Sequence, residues 1–441
     1  MGAEKTLVVA PKTVCVEWTV EAKKKDGLFA GSAPFYSVNY AEGPIAWRGE
    51  ELVKWFSHHE PVVAAVNYEA LPELWPYVKK ALRADAIDSL VIDESHWVKS
   101  PKAIVSKTVL EISKNVSRCF CGSGTPIGNE IGDLHCQVDA VSPGLLASNY
   151  HEFMGRYAVM SQREIYVRGN ARKVPVVVGA RDLHDLMVRM DPIWFRASKA
   201  AVLDLPPKSS KTVLLPLPRE VRALYEKVKE EGDAVFDELS LSGALVRDLR
   251  LSQICAGFCP KISRNWDDPP ETGGTMVDLA SPKIDWLKAF SRDKLAGDPS
   301  HRVVIWCRFT HSILRVQKEL EKAFGRPGRV AYVIGGSPWT EDAISSLNSK
   351  DPRGVQIIVA QPKAIGTGKQ LQGCDTMIFF DNDYSHIQRT QAEARMERLG
   401  RTGGMEVIDL VALGTIDEDV KKALDRKEDF AALTSPDTTF R

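Results

Sequence analysis

The sequence has no excess of charge of either sign and no apolar run of membrane-spanning length. Its 58 lysine and arginine residues are balanced by 58 aspartate and glutamate residues. No global positive field therefore attracts nucleic acid, and any such binding must come from local basic patches. We expect the first residues, MGAEKTLVVAPK, to be neither a signal peptide nor a membrane anchor. We expect a cytoplasmic protein without membrane contact, in the host cytoplasm if the source is viral.

Paired CxxC motifs are also missing. The eight cysteines are scattered along 441 residues, which argues against a zinc site and against a disulfide framework. Cys255 and Cys259 lie one helical turn apart, a spacing that fits packing better than metal ligation. No internal repeat or low-complexity tract is evident. This composition suits a reducing compartment.

The sequence does contain short apolar runs that alternate with helical spacers in two separate parts. The chain length favours two or three domains, and the alternation is typical of parallel α/β sheets. A charged helical stretch covers residues 218–259, and we place the main domain boundary in the Pro- and Gly-rich stretch 265–275. Strands are predicted at 6–10, 61–66, 90–93, 118–122, 303–306, 330–334, 355–359, 376–380 and 406–413.

The stretch LVIDESHWVKS, at Leu90 to Ser100, organises the first part of the chain. A buried parallel strand that ends in Asp93 and Glu94 would present two carboxylates at the sheet edge where α/β proteins bind ligands. Asp93 could hold a hydrated Mg²⁺ that bridges phosphates, and Glu94 could polarise an attacking water. The alternative, on these residues alone, is a solvated acidic loop after an ordinary strand.

Two glycine-containing loops also follow predicted strands. The loop SGTP at 123–126 could relay between a nucleotide site and a second ligand, although a simple Gly-Pro turn is the alternative. The loop GTGK at 366–369 looks like a phosphate-binding loop, but GxxxxGK requires a glycine where Lys363 stands. It is therefore not a Walker A loop. The residues fit a glycine-rich loop that faces a cleft, or a plain turn.

A helix predicted from residue 386 to 399 would carry Gln391, Arg395 and Arg398 on one face. Two arginines presented together could pair with phosphate oxygens and stabilise charge in phosphoryl transfer. The alternative is a solvated basic helix face with weak pairing to neighbouring glutamates.

Three further side chains are candidates for binding. Lys12 and Thr13 follow the first strand and could contact a nucleic-acid backbone, although a lone basic turn is usually plain surface. His96 could couple a nucleotide site with a partner site, or it could be a packed histidine.

In their order, these segments resemble the SNF2 branch of the superfamily 2 helicases and translocases, over nearly the whole chain. TLVVAPKTVCVEW is similar to motif Ia, LVIDESHWVKS to motif II and CGSGTPIGNEIGDL to motif III. Further on, VVIWCRFT is similar to motif IV, VAQPKAIGTGKQLQGCD to motif V and QAEARMERLG to motif VI. The DEAH-like spelling DESHxxKS resembles that of the distant subfamily that includes annealing helicases.

The resemblance implies an α/β fold of two RecA-like parallel-sheet lobes, with ATP and Mg²⁺ in the cleft and duplex or forked DNA across the top. It implies an N-terminal lobe at 1–205 with a hairpin insertion near 157–179. A helical protrusion and linker at 206–275 and a C-terminal lobe at 276–441 would follow.

The resemblance also implies residue roles. Asp93 would bind Mg²⁺ and Glu94 would activate water, while Arg395 and Arg398 would occupy the arginine-finger positions. The implied nucleotide-binding residues are His96, Gly366, Gly368 and Gln391. The implied DNA-contacting residues are Lys12, Thr13, Ser123 and Thr125.

The sequence departs from the family pattern in its first motifs. The matched segments begin at motif Ia, and no GxxxxGK[ST] occurs in the 441 residues. We therefore expect an incomplete first lobe without the P-loop strand, which would leave unpaired backbone and apolar faces exposed. Motif V also reads GKQL where an apolar residue and asparagine are usual, and motif VI continues with GRT instead of Gly-Gln.

Three explanations are open. A separate polypeptide could carry the P-loop, as a compact phage or viral genome would tolerate, or the sequence could be a fragment or have a misassigned start. The chain could also have lost catalysis and serve as a DNA-binding or scaffold subunit. The retained acids and arginines argue against that last explanation. We expect an ATP-dependent DNA translocase or helicase, completed by a second polypeptide, with the inactive subunit as the alternative.

Overall fold

The computed structural model describes residues 5–23, 35–38, 43–59, 61–167, 170–196, 207–236, 240–260, 276–325, 328–365, 369–397 and 403–433. The chain forms two compact units. The first comprises Met1–Ser161, Val176–Ala197 and Phe430–Arg441, and the second comprises Gln162–Pro175 and Ser198–Asp429. Each unit is built on its own parallel β-sheet. The predicted α/β class with two parallel-sheet lobes is therefore confirmed.

The sheet of the first unit has five parallel strands in the order β2-β3-β1-β4-β5. The apolar runs of β1 and β4 are buried, as expected of inner parallel strands. Val8 pairs with Val91, and Val91 pairs with Phe120, so one row of side chains crosses the sheet towards its edge. The strands are β1 Lys5–Ala10, β2 Phe35–Val38, β3 Val62–Asn67, β4 Ser89–Asp93 and β5 Arg118–Gly122.

The two faces of this sheet are covered unequally. The main core joins one face to four helices through side chains such as Leu52, Leu74, Val109 and Cys136. On the other face, within the described ranges, a small cluster packs one helix against the sheet, with Val14 among its members. That helix is α1 Lys12–Lys23. The four helices of the main core are α2 Ile45–Phe56, α3 Leu71–Arg83, α4 Ile104–Ser113 and α5 His135–Val141.

The rest of the first unit is a small satellite core. Phe153 and Tyr157 pack with Leu186 and Met190, and Tyr157 donates a hydrogen bond from its hydroxyl to Asp185 at 2.7 Å. These residues lie on helices α6 Tyr150–Tyr157 and α7 Leu183–Met190. Between the two helices in the sequence, β6 Ala158–Val167 and β7 Asn170–Ala180 form a two-stranded sheet. Its segment Gln162–Pro175 is assigned to the second unit.

In the second unit, α8 Arg219–Phe236 and α9 Ser240–Cys255 precede a short antiparallel sheet of β9 Phe258–Pro260 and β10 Met276–Asp278. Val221 and Ile254 of these helices pack against Val420. Val420 lies on the last helix, α14 Ile416–Leu433. The predicted boundary at 265–275 lies outside the described residues, and the predicted domain limits stay a prediction.

The large sheet of the second unit has six parallel strands in the order β12-β13-β11-β14-β15-β8. Its strands are β8 Lys208–Leu215, β11 Val303–Trp306, β12 Val330–Val333, β13 Ile357–Ala360, β14 Thr376–Phe379 and β15 Met405–Ala412. The helices packed on it are α10 Pro282–Gly297, α11 Thr310–Phe324, α12 Thr340–Ser349 and α13 His386–Ala394. Nearby, the fully buried Lys283 ammonium lies 2.6 Å from Asp417 and donates to the Phe380 carbonyl oxygen at 2.8 Å.

The apolar runs predicted most of the strands to within one or two residues, and β5 and β11 have the predicted bounds. β2, β8, β9 and β10 were not predicted. The sequence of β8, KSSKTVLL, begins with polar residues, and its first five residues are exposed. β8 pairs with β15 without an apolar pattern that would predict a strand. Within the described residues, no helix is both long and apolar enough to cross a membrane.

Candidate functional site

The acidic pair lies at the carboxyl end of β4, between β1 and β5. Open α/β sheets bind their ligands at this edge. Glu94 has a φ of +52°, in the left-handed region, which costs a residue with a side chain roughly 1–2 kcal/mol. The surrounding structure therefore holds Glu94 in place against its backbone preference. Strain of this kind is concentrated at functional sites.

Three hydrogen bonds fix Asp93. The indole N–H of Trp18 donates to one carboxylate oxygen at 2.7 Å, and the backbone N–H of Glu94 donates to the other at 2.9 Å. The Tyr68 hydroxyl donates to the Asp93 carbonyl oxygen at 2.7 Å. The buried Tyr68 ring stacks on Trp97 with centroids 5.4 Å apart. Burial raises the pKa of Tyr68 far above its ordinary value, so its hydroxyl remains a donor.

His96 connects the acidic pair to the loop that follows β5. Its Nδ1 lies 3.2 Å from a carboxylate oxygen of Glu94 and 3.1 Å from the hydroxyl oxygen of Ser123. The same hydroxyl accepts a hydrogen bond from the backbone N–H of Thr125 at 3.1 Å. Because His96 is buried, a shift of this loop would be transmitted to Glu94 through a packed ring.

The buried side chain of Gln137 links the acidic turn after β4 to the loop after β5. The Ser95 hydroxyl donates to the side-chain oxygen of Gln137 at 2.7 Å. The Gln137 amide nitrogen donates to the carbonyl oxygens of Pro126 and Asp133 at 2.6 and 2.7 Å. The acidic turn and the loop after β5 therefore form one hydrogen-bonded unit.

The predicted DNA-contacting residues lie at this same edge of the first sheet. Lys12 and Thr13 begin α1 directly after β1 and are exposed. Ser123 and Thr125 directly follow β5, with Thr125 buried and Ser123 half-buried. Since all strands of the sheet are parallel, these four residues and Asp93 share one edge. Their contact with DNA stays a prediction.

The helix predicted over 386–399 is wrong at its carboxyl end. α13 stops at Ala394, and Arg395 is its C-cap. The backbone carbonyl of Arg395 accepts a hydrogen bond from the N–H of Leu371 at 2.9 Å. This bond ties the end of the helix to a neighbouring loop, an interaction that no helical pattern could indicate.

The side chain of Arg395 is also directed to that loop. The guanidinium is buried and donates to the carbonyl oxygens of Pro362 and Lys369 at 3.3 and 3.4 Å. Gln391 is half-buried on α13. Arg398, Gly366 and Gly368 lie outside the described residues. The predicted roles of all of these residues stay predictions.

A pocket of about 280 Å³ in the second unit was not predicted. It lies at the carboxyl ends of β11, β13 and β14, and Arg308, Lys363 and Asp381 contribute to its lining. Asp381 is buried and accepts a hydrogen bond from the Arg308 backbone N–H. Burial raises the pKa of the Asp381 carboxyl to about 6. These residues follow three separated strands, so only the sheet order brings them together.

The donor set at the end of β4 fits a hard divalent cation. Asp93, Glu94 and Ser123 offer carboxylate and hydroxyl oxygens, which Mg²⁺ prefers. In the described ranges, no three acidic, histidine or cysteine side chains could enclose a metal ion. The edge therefore suits a cation shared between one or two protein carboxylates and substrate phosphates, and it does not suit a cation held in a protein cage.

Comparisons with known proteins agree with the motif order. A family model described as an SNF2-related domain matches residues 1–257. Human TATA-binding protein-associated factor 172 is 25% identical over 459 residues, covering 94% of this chain and 24% of that protein. The SWI/SNF chromatin-remodeling complex subunit snf22 of Schizosaccharomyces pombe is 24% identical over 430 residues, also covering 94% of this chain and 24% of its own length. The chain thus spans about a quarter of the length of each of these two relatives.

Among solved structures, the Sulfolobus solfataricus SWI2/SNF2 ATPase core in complex with dsDNA is similar to 99% of this chain. The match covers 83% of that chain, with 22% sequence identity and a TM-score of 0.39.

Proposed function

The chain belongs to the SNF2-related domain family, and on that premise we propose that it is the larger part of an ATP-dependent DNA translocase or helicase. DNA-stimulated ATP hydrolysis would drive remodelling of duplex or forked DNA, in the cytoplasm. The observation that carries the proposal is the geometry of Asp93 and Glu94. One carboxylate is held by two hydrogen bonds and the other is held on a strained backbone beside a histidine. A solvated acidic loop needs none of these features.

In this proposal the two acids have separate tasks. Mg²⁺ bound with ATP would neutralise phosphate charge during phosphoryl transfer. Asp93 would hold that cation, and the Trp18 indole and the Glu94 N–H would keep its carboxylate in one orientation. Glu94 would polarise the attacking water, because its side chain follows the sharp turn out of β4 and stays half-buried at the same edge.

DNA stimulation would reach Glu94 through His96. We assign the DNA backbone to the edge that holds Lys12, Thr13, Ser123 and Thr125. DNA bound there would reposition the loop after β5, and the contacts of His96 with Ser123 and Glu94 would pass that change to the catalytic acid.

Arginine side chains would supply positive charge to the phosphates. Arg395 and Arg398 are the proposed arginine-finger positions, and Gln391, Gly366 and Gly368 would help to bind the nucleotide. Arginine fingers accelerate phosphoryl transfer by about 10³–10⁵. Through its bonds to Pro362 and Lys369, Arg395 would also brace the loop that carries the two glycines.

A second polypeptide that carries the Walker A loop would complete the motor. The alternative is a catalytically inactive DNA-binding or scaffold subunit, which the lack of GxxxxGK[ST] in these 441 residues favours. The discriminating experiment measures ATP turnover and duplex-DNA binding for the chain, with and without the product of the adjoining upstream reading frame. DNA-stimulated turnover in the mixture supports the motor. DNA binding without turnover in the mixture supports the inactive subunit.

A further inference from the structure

A two-stranded element that follows α6 has no role in the proposed function. It consists of β6 Ala158–Val167 and β7 Asn170–Ala180, and it is called the β6–β7 ribbon below. A β-carbon on Gly179 would lie 3.8 Å from the β-carbon of Val159. The end of β7 therefore lies beside the start of β6, so the two strands run antiparallel. At about 3.4 Å per residue, each strand is roughly 35 Å long.

The base of the β6–β7 ribbon is fixed to the satellite core of the first unit. Ala158 belongs to that core, and Val177 packs against it. Directly after β7, the Arg181 guanidinium donates to the carbonyl oxygens of Gly155 and Arg156. An isolated two-stranded hairpin is at best marginally stable in water, so these contacts help to keep the two strands paired.

Beyond its base, the ribbon is open on both faces. The four consecutive residues 159–162 are all exposed. Successive side chains of a strand point to opposite faces, so a strand covered on one face would alternate between exposed and buried residues. In β7, Lys173, Pro175 and Val178 are exposed too, and two of these three belong to the segment assigned to the second unit. Among the described strands, no third strand pairs with the ribbon.

The β6–β7 ribbon is strongly basic, although the whole chain has a formal net charge of zero. Its sequence contains a single acid, Glu164, and four basic residues, Arg163, Arg168, Arg172 and Lys173. A local excess of positive charge on an open element is the electrostatic signature of a surface that binds a polyanion.

The shape of the ribbon indicates which polyanion fits. The major groove of duplex DNA is about 12 Å wide and admits a two-stranded β-ribbon. Positions 172 and 173 are adjacent in β7, so they lie on opposite faces of the ribbon. A ribbon that lies in the groove would present basic residues to both walls, which carry the phosphates of the two DNA strands. A flat acidic protein surface would meet one face only.

We propose that the β6–β7 ribbon is a second DNA-binding element, which lies along the major groove of duplex DNA and holds backbone phosphates through its basic residues. The ribbon binds without reading the base sequence, because contacts to phosphates carry no sequence information. This inference rests on the proposed function, since it requires the chain to bind DNA, but it involves no step of ATP hydrolysis.

The test measures the affinity of the full chain for a fluorescently labelled duplex of mixed sequence, without nucleotide, at a series of salt concentrations. Each phosphate contact contributes about 0.9 to the slope of log affinity against log salt concentration. The double variant Arg172→Ala, Lys173→Ala should therefore give a slope that is shallower by about 1–2. Its affinity at about 100 mM salt should fall at least about fivefold.

Two further variants show whether the effect belongs to these positions and to their charge. The double variant Lys107→Ala, Lys114→Ala removes two exposed charges at α4 of the first unit, and it should keep the wild-type slope. The double variant Arg172→Lys, Lys173→Arg keeps both charges, so it should also bind like the wild type. All three variants should melt within about 2 °C of the wild type, since substitutions outside the core change stability little.

The ribbon and the proposed function can fail separately. A wild-type slope in Arg172→Ala, Lys173→Ala would overturn the ribbon as a DNA-binding element, while DNA binding by the chain itself would stand. A chain that binds no duplex DNA would overturn both. If the alanine variant binds duplex DNA normally but loses affinity for poly-glutamate, the ribbon binds an acidic protein and the proposal is overturned.

Discussion

His96 contacts both the acidic pair and the loop after β5. Its Nδ1 lies within hydrogen-bonding distance of both Glu94 and Ser123, and its ring is buried. A single hydrogen bond contributes about 0.5–1.5 kcal/mol net. This is enough to change a rate several-fold without changing the fold.

Ser123→Ala should therefore lower the ratio of DNA-stimulated to basal ATP turnover by about three- to tenfold. The substitution removes the hydroxyl that faces His96 and the Thr125 N–H. The measurement is steady-state hydrolysis by the completed motor, with and without duplex DNA. Ser57→Ala is the control, because the Ser57 hydroxyl is exposed and bonds within its own helix. An unchanged ratio in Ser123→Ala would show that the contact of Ser123 with His96 does not couple DNA binding to ATP hydrolysis.

The stability of the second unit should depend on pH through Asp381. Its pKa is about 6 in the folded chain against an ordinary value of 3.8. The folded chain therefore holds the proton more tightly, and the contribution of Asp381 to stability falls as the pH rises from about 4 to 6. The Asp381→Asn variant lacks this dependence. Its free energy of unfolding relative to the wild type should rise by about 2 kcal/mol over this range.

Urea unfolding of both proteins at pH 4.5 and pH 7 checks this expectation. The wild type is the matched reference, because the groups near Asp381, including Lys283 and Asp417, are the same in both proteins. Parallel pH profiles for the two proteins would show that Asp381 titrates normally.

The sequence identified Asp93 and Glu94 but not the residues that hold them. Acids that follow an apolar run mark the end of a buried strand, which is a local signal. Trp18 and Tyr68 reach Asp93 from 75 and 25 residues away. Their positions depend on which strands are neighbours in the sheet, and the sequence pattern carries no information about that order.

Among the elements, α13 shows the limit of local stop signals. Gly400 predicted a helix that continues to position 399, yet the helix ends at Ala394. Arg395, the next residue, bonds to Pro362, Lys369 and Leu371 instead. The local sequence was also insufficient for β8, because its polar first residues form a strand by pairing with β15. By contrast, β11 and β14 are buried along their whole length and were predicted from their apolar runs.

Arg395 should contribute to the stability of the fold, and Arg395 and Arg398 should act together in catalysis. Arg395→Ala should lower the free energy of unfolding by about 1–3 kcal/mol, because the variant loses the hydrogen bonds of the buried guanidinium to the carbonyl oxygens of Pro362 and Lys369. The double Arg395→Ala, Arg398→Ala variant should slow ATP turnover by at least about a thousandfold. Chemical denaturation and steady-state turnover measure the two effects. A double variant that retains wild-type turnover would exclude both arginines from the reaction.

On the scale of the whole molecule, the sequence predicted two parallel-sheet lobes because alternating strands and helices are a global pattern that survives local errors. The structure has such a sheet in each of its two units. The sequence predicted unpaired backbone in the first sheet only as a consequence of a missing strand. That β5 lies beside Asp93 required the sheet order.

The account depends above all on Glu94 as the residue that activates water in an ATP-driven DNA motor. The most direct test compares ATP turnover by the wild type and by Glu94→Gln, each with its completing polypeptide and duplex DNA, alongside nucleotide affinity. Glutamine keeps the size of the side chain but cannot accept a proton. We predict that turnover falls by at least about a hundredfold while nucleotide affinity stays within a few-fold. Full turnover by Glu94→Gln would contradict the account.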